Sequence, residues 1–188
     1  MIKRQTYALF LDLQKAEALA REAQIEAALE KVRSRSLAMH KPEELKEVVG
    51  VVAEKLQELD VIVDAGGVII CTYFPDNKDV IHWIAEKDFS NSGKYLIPYF
   101  DDLTFNDAWN SKDSGEEFFI KAYNKQEKNS FFNYAFEHTD YKNFPDDFKQ
   151  FVLNSEKIVL SFAWAKNSAI MLPSHTGVVP SENHIEIL

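Results

Sequence analysis

The side chains with chemistry to offer in this sequence are five histidines, one cysteine and a dense run of aromatic rings. The spacings that would turn them into catalysts or metal sites are missing. No Gly-rich phosphate loop, paired-cysteine motif or His-Glu-x-x-His sequence occurs. With six glycines in 188 residues, a backbone-amide cradle for a nucleotide is not expected. His138 and Asp140 stand close in sequence, but two ligands do not close a metal site. His40, in Met39-His-Lys-Pro42, falls at a corner between two helical segments and reads as a surface turn residue rather than a phosphoacceptor. His82, His138, His175 and His184 could each offer an imidazole to a haem iron, yet none carries a supporting motif. Cys71 sits inside an expected strand and reads as a small core residue. The sequence indicates no cofactor, and the chain is expected to be non-catalytic.

The aromatic residues are the more suggestive group. Phe118, Phe119, Tyr123, Phe131, Phe132, Tyr134, Phe136, Phe148, Phe151, Phe162 and Trp164 crowd into the second half of the chain. In a strand, Ile158, Leu160, Phe162 and Trp164 share one face, opposite the smaller Val159, Ser161, Ala163 and Ala165. Two uses stay open: the rings fill a sheet–helix core, or they wall a pocket for a planar or apolar molecule. For a pocket, the candidate lining is Tyr99, Trp109, Phe119, Tyr123, Phe132, His138, Phe162 and Trp164.

The elements that must position these rings follow from pattern. Residues 2–39 lack Pro and Gly and are rich in Ala, Glu, Leu, Lys and Arg, which predicts one long helix. Leu9, Leu13, Ala16, Ala20, Ala23 and Ala27 recur in 4-3 steps, and Ile25, Leu29, Val32, Ser36 and Met39 form a second series offset from the first. Such spacing predicts a coiled-coil seam with a stutter, hence a homodimer through this helix; a solvated helix along the domain surface is the alternative. Pro42 with Glu43 and Glu44 opens a second helix with a Leu45–Leu59 apolar stripe. Strands are expected at Val68–Phe74, Val80–Ala85, Tyr95–Tyr99, Phe118–Tyr123, Lys157–Lys166 and Ala169–Leu172. Helices are expected at Leu103–Ser111, Gln126–His138 and Asp146–Leu153. Hairpin connections dominate, so the fold class is α+β: an antiparallel sheet of about six strands with helices on both faces. Ser181 with Glu182 opens a last helix that Leu188 cuts short, which suggests a piece of a longer protein.

Charge narrows the partners. The formal net charge is −9, and residues 61–188 carry 11 basic and 19 acidic side chains with no Arg after Arg35. An acidic surface of this kind repels phosphate backbones, so nucleic acid is not an expected partner. No apolar run approaches the ~18 residues a membrane span needs. A single cysteine fits a reducing compartment, and the chain reads as cytoplasmic.

The run Glu22–His40 followed by Pro42–Val49 resembles the segment that leads into GAF-type sensor domains of multidomain bacterial signalling proteins, often histidine kinases. Leu160–Trp164 and Asn167–Gly177 resemble the last hairpin of such a domain, and Gln5–Ala16 the closing helix of a preceding module. The resemblance implies a signalling helix over residues 1–39, then a GAF-like (profilin-like) domain over 40–188 that lacks its closing helix. It also implies terminal helices on one sheet face, a pocket under helices on the other, and sensory or relay work in a two-component system beside further sensor and output domains. The ligand stays an unknown small molecule. Cyclic-nucleotide binders of this family carry Asn-Lys…Phe-x-x-x-Asp-Glu; Asn124-Lys125 and Phe136…Asp140 match in type, but Tyr141 stands where Glu is expected. Bilin-binding relatives need a suitably placed cysteine, and Cys71 has no histidine beside it. The alternative to a sensor is a dimerisation module whose pocket is filled by its own side chains.

Overall fold

The computed structural model describes residues 2–64, 67–85, 92–185 and 187–188. Its centre is an open, fully antiparallel sheet of six strands: β1 (Val68–Tyr73), β2 (Val80–Ala85), β3 (Ser92–Ile97), β4 (Phe118–Asn124), β5 (Lys157–Trp164) and β6 (Ser168–Ser174). The spatial order is β3-β2-β1-β6-β5-β4. Helices α1 (Ile2–Leu37) and α2 (Leu45–Glu58) precede the sheet. Helix α3 (Leu103–Ser114) links β3 to β4, α4 (Lys125–His138) and α5 (Asp146–Asn154) link β4 to β5, and the short α6 (Glu182–Ile185) follows β6. The chain is therefore α+β, with helices on both faces of the sheet. Strand β3 begins three residues earlier than its β-branched content indicates: Ser92, Gly93 and Lys94 are held by pairing with Ala85, Ile84 and Trp83. Tertiary pairing overrides weak strand propensity there. The link over residues 86–91 lies outside the described residues.

Alternation sorts the side chains into two layers. Ile69, Cys71, Val80, Ile84, Ile97, Phe162, Ala169 and Met171 point to one face, where Phe105, Ala108 and Trp109 of α3, Ala135 of α4, and Tyr141 and Phe144 complete the cluster. Val68, Trp83, Ala85 and Leu172 point to the other, against Val48, Val49, Val52, Ala53 and Leu56 of α2. Local chemistry sets the helices that cover the first face. Asp102 caps α3, accepting from the Thr104 N–H at 2.9 Å, and Gly115 closes it at φ 78°, a conformation that suits glycine. Asn124 and Glu127 form a reciprocal capping box at the start of α4.

Helix α2 ends without glycine. Asp60 takes the left-handed position at φ 61°, and Val61 N–H donates to Leu56 O while Asp60 N–H donates to Gln57 O, the paired bonds of a Schellman motif. Arg21 of α1 completes this end: its guanidinium donates to Leu59 O and lies 3.9 Å from the Asp60 carboxylate. A cation is well placed there, at the negative end of the α2 dipole. Arg35 likewise pairs with Glu47. Shortly after this end, Asp64 accepts from Ser174 Oγ (2.8 Å), Thr176 N–H (2.9 Å) and Thr176 Oγ (2.8 Å), fixing the loop behind β6.

Among the described side chains of α1, those covered within the chain are Arg21, Ile25, Ala28, Val32 and Arg35, followed by Met39 just beyond its end, and Ala28 is buried while Leu29 stays exposed. A small residue allows close approach to α2, and Leu29 would hold the helices apart. Val32 packs against the α2 cluster of this chain. Leu13, Ala16, Ala20, Ala23 and Ala27 face solvent within the single chain, as do Tyr7, Phe10 and Leu19. The side chain of Leu9 lies outside the described residues. The Gln5–Ala16 segment is helical, and its described apolar side chains find no cover within the chain.

Candidate functional site

A cavity of about 80 Å³ lies between the sheet and helices α3, α4 and α5. One water needs roughly 10–15 Å³ of such space, so this one holds several waters or a small ring. Its floor is Ile69 and Tyr73 of β1, Val80, His82 and Ile84 of β2, Ile158, Leu160 and Phe162 of β5, and Met171 and Pro173 of β6. Its roof is Thr104, Phe105, Ala108 and Trp109 of α3, Lys128, Phe131 and Phe132 of α4, Tyr141 and Phe144, and Phe148 and Val152 of α5. His175 closes one end. The enclosure follows from the local sequence. Bulky strand residues spaced by two point at one face, and the rings of α4 and α5 fall over them. Edge-to-face and tilted ring pairs such as Phe131–Phe132 (86°) and Phe144–Phe148 (46°) brace the roof.

Three polar centres interrupt the apolar wall. His82 Nδ1 and the Tyr141 hydroxyl are 2.6 Å apart. Burial pushes the His82 imidazole down to about 3 and the Tyr141 phenol well up, so both are neutral at pH 7. Lys128 is fully buried, and its ammonium donates to the Val152 carbonyl that ends α5 and to Asn129 Oδ1. Burial lowers its pKa. His175 Nδ1 lies 3.2 Å from Ser155 Oγ; burial first and the charge of Lys128 second push it down to about 4. Beyond Tyr73, Cys71 is fully buried, and desolvation raises its thiol to about 12, which leaves it a poor nucleophile. Among the described residues, no group of three or more His, Cys, Asp and Glu side chains is placed to hold a metal ion.

Comparison with known proteins adds nothing to this geometry. No family model, curated protein or solved structure matches the chain. Among the described residues, no helix is long and apolar enough to cross a membrane.

Of the eight residues singled out as pocket lining, Trp109, Phe132 and Phe162 line the cavity. Tyr99 stacks on Phe105 and donates its hydroxyl to Asn106, at the edge of the cluster. Phe119 packs on Phe162 from β4, and Trp164 stacks on Phe162 at 4.7 Å while its indole N–H donates to Ser111. Tyr123 is buried with its hydroxyl donating to Asp107. His138 ends α4 with half its side chain exposed, against Tyr134, away from the cavity. The Asn124…Asp140 pattern is likewise spread apart. Asn124 caps the start of α4, Lys125 pairs with Glu156 at 2.8 Å, and Asp140 lies past the far end and accepts from Leu96 N–H. The 14 residues of α4 separate them by about 21 Å, too far to share one ligand group.

Sequence reasoning missed Lys128, and it weighed His82 and His175 only as haem ligands. A lysine in Lys125-Gln-Glu-Lys128 reads as solvated. Its burial depends on α5 returning over the first turn of α4, a contact no local pattern announces. In β2, His82 alternates with Trp83 and shares the covered face with Val80 and Ile84.

Proposed function

We propose that the chain is a non-catalytic sensory or relay module of the GAF type from a bacterial two-component signalling protein. A small molecule occupies the cavity beneath α3, α4 and α5, and the terminal helices pass its effect to neighbouring domains. The observation that carries this reading is the cavity itself: partly enclosed, aromatic and entered by a few polar groups, the common form of a small-molecule site. The arrangement around it supports the family resemblance, with α2 on the opposite face of a six-stranded antiparallel sheet. Relay requires two packing states that the ligand distinguishes.

The exposed series Leu13, Ala16, Ala20, Ala23 and Ala27 supports a homodimer through α1. The contrasting reading is a dimerisation module whose cavity has no ligand, and the same exposed seam favours it equally.

A thermal-shift screen of metabolites, cyclic nucleotides and haem or bilin cofactors on the full chain tests the sensor reading. A true ligand at one hundred times its Kd adds about 2.7 kcal/mol of stability. That shift should vanish in Ala108→Phe, which fills the cavity from α3. No shift across the screen, together with a gain of stability in Ala108→Phe, would leave dimerisation as the function. For the seam, sedimentation equilibrium of the full chain should give a dimer that Leu13→Glu with Ala20→Glu converts to monomer. A monomeric wild type removes the coiled coil.

A further inference from the structure

Among the residues that line the cavity, Lys128 alone has a side chain of the Lys, Arg, Asp and Glu set. No Asp or Glu joins it, in a chain with 30 acidic residues. Its two hydrogen-bond acceptors, Val152 O and Asn129 Oδ1, are uncharged. Glu156 is the carboxylate that acts on it, and Glu156 is itself held by Lys125 at 2.8 Å. An ammonium has three N–H donors, so one remains beyond these two bonds. Closing the C-terminus of α5 accounts for the pair, but a lysine can do that from the surface with its head in water. What capping leaves unexplained is the full burial of Lys128 beside an apolar space. A fully buried cation that shares its one acting carboxylate with Lys125 is costly, and the cavity is where a second counter-charge can sit. His175 stands at the same end and can add a second donor. Lys78 and Lys112 lie 6.0 and 5.3 Å from the ring centre of Trp109, another residue of the lining.

We propose that the cavity takes a small monocarboxylate with an apolar, ring-sized body, and that Lys128 is the counter-charge for its carboxylate. This rests on the reading of the cavity as a ligand site and names the ligand class. The aromatic walls at Phe132 and Phe162 receive the body; the anion meets the free N–H of Lys128 and restores the charge balance that burial disturbs.

The test is calorimetric titration of the full chain with phenylacetate, 3-phenylpropionate, hexanoate and octanoate, each against its primary amide. At least one acid should bind about 10-fold more tightly than its amide, the range expected for a charged hydrogen bond in place of a neutral one. In Lys128→Met the two should bind equally, while Lys128→Arg keeps the preference. The comparison is made within each variant, so a general loss of stability does not imitate the result. On the unaltered chain, the Lys128 Nζ nitrogen resonance should move with the acid and not with the amide, which holds the test open if the methionine variant fails to fold. Equal affinities for acid and amide in the wild type overturn the carboxylate inference and leave the ligand-site reading standing. So does a preference that survives in Lys128→Met. If neither the acids nor their amides bind, the carboxylate inference falls, and the thermal-shift screen decides the ligand-site reading.

Discussion

The two faces of the sheet are built from alternate residues of the same strands and solve packing differently. Against α2 the side chains are aliphatic apart from Trp83: Val48, Val49, Val52, Leu56, Val61 and Val63 meet Val68 and Leu172. Against α3, α4 and α5 they are rings, including Phe105, Trp109, Phe131, Phe132, Tyr141, Phe144 and Phe162. Branched aliphatic chains interdigitate at close to crystal density, whereas rigid rings tilt against one another and leave space between them. The buried ionisable groups beside the cavity lie on one side. His82, Lys128 and His175 all line the ring side, where the cavity lies. The lesson is that one sheet can hold the fold with one face and keep the other adaptable.

Four measurements would break or sharpen that contrast. The largest effect belongs to Leu56→Ala on the aliphatic face, expected to cost about 2–5 kcal/mol of unfolding free energy in denaturant titration. Leu160→Ala, whose side chain already borders the cavity, should cost clearly less; an equal cost would mean that the two faces are equally tight. Overpacking should separate them next. Ala53→Leu, at a fully buried position of α2, is expected to destabilise by about 1–3 kcal/mol, while Ala108→Leu on the cavity side is near neutral or stabilising.

The third measurement uses pH. The folded-state pKa of His82 lies near 3, below the ordinary value of 6.5, so the folded protein resists a proton that the unfolded chain accepts. Its stability is whole above pH 6.5 and falls as pH drops toward 3. Between pH 7 and 5 this amounts to about 2 kcal/mol for His82, with His175 adding to the slope in the same direction. His82→Gln should flatten that part of the profile, and an unchanged slope would show that His82 is not the titrating group. The smallest effect is Ser161→Ala. Ser161 Oγ is buried on the aliphatic side without a hydrogen-bond partner, so removing it should be neutral or stabilise by up to about 1 kcal/mol. A loss beyond that would reveal a partner for the hydroxyl.

The aliphatic face was largely legible in the sequence, because the α2 stripe and the strand alternation are local patterns. Strand β2 matches its expected bounds, and the Lys157–Trp164 alternation assigned Phe162 to the covered face correctly. The cavity was only partly legible. Trp109, Phe132 and Phe162 announce themselves by size, but ring count does not say which rings leave a gap. Tyr123 and Phe119 sit on β4, one strand too far toward the sheet edge, and His138 was carried past the cavity by the length of α4. Within the chain α1 meets α2 through Ala28 rather than the larger Leu29, a close approach that side-chain size does not announce.

Asp64 links regions that the chain keeps far apart. The three residues Val61–Val63 connect it to Asp60, where Arg21 meets the end of α2, and its carboxylate holds Ser174 and Thr176 on either side of His175. In mechanical terms it is a rivet on a short lever. A torsion of α1 about its own axis would load residue 60, and the arm from there to the cavity wall is four residues and one carboxylate long.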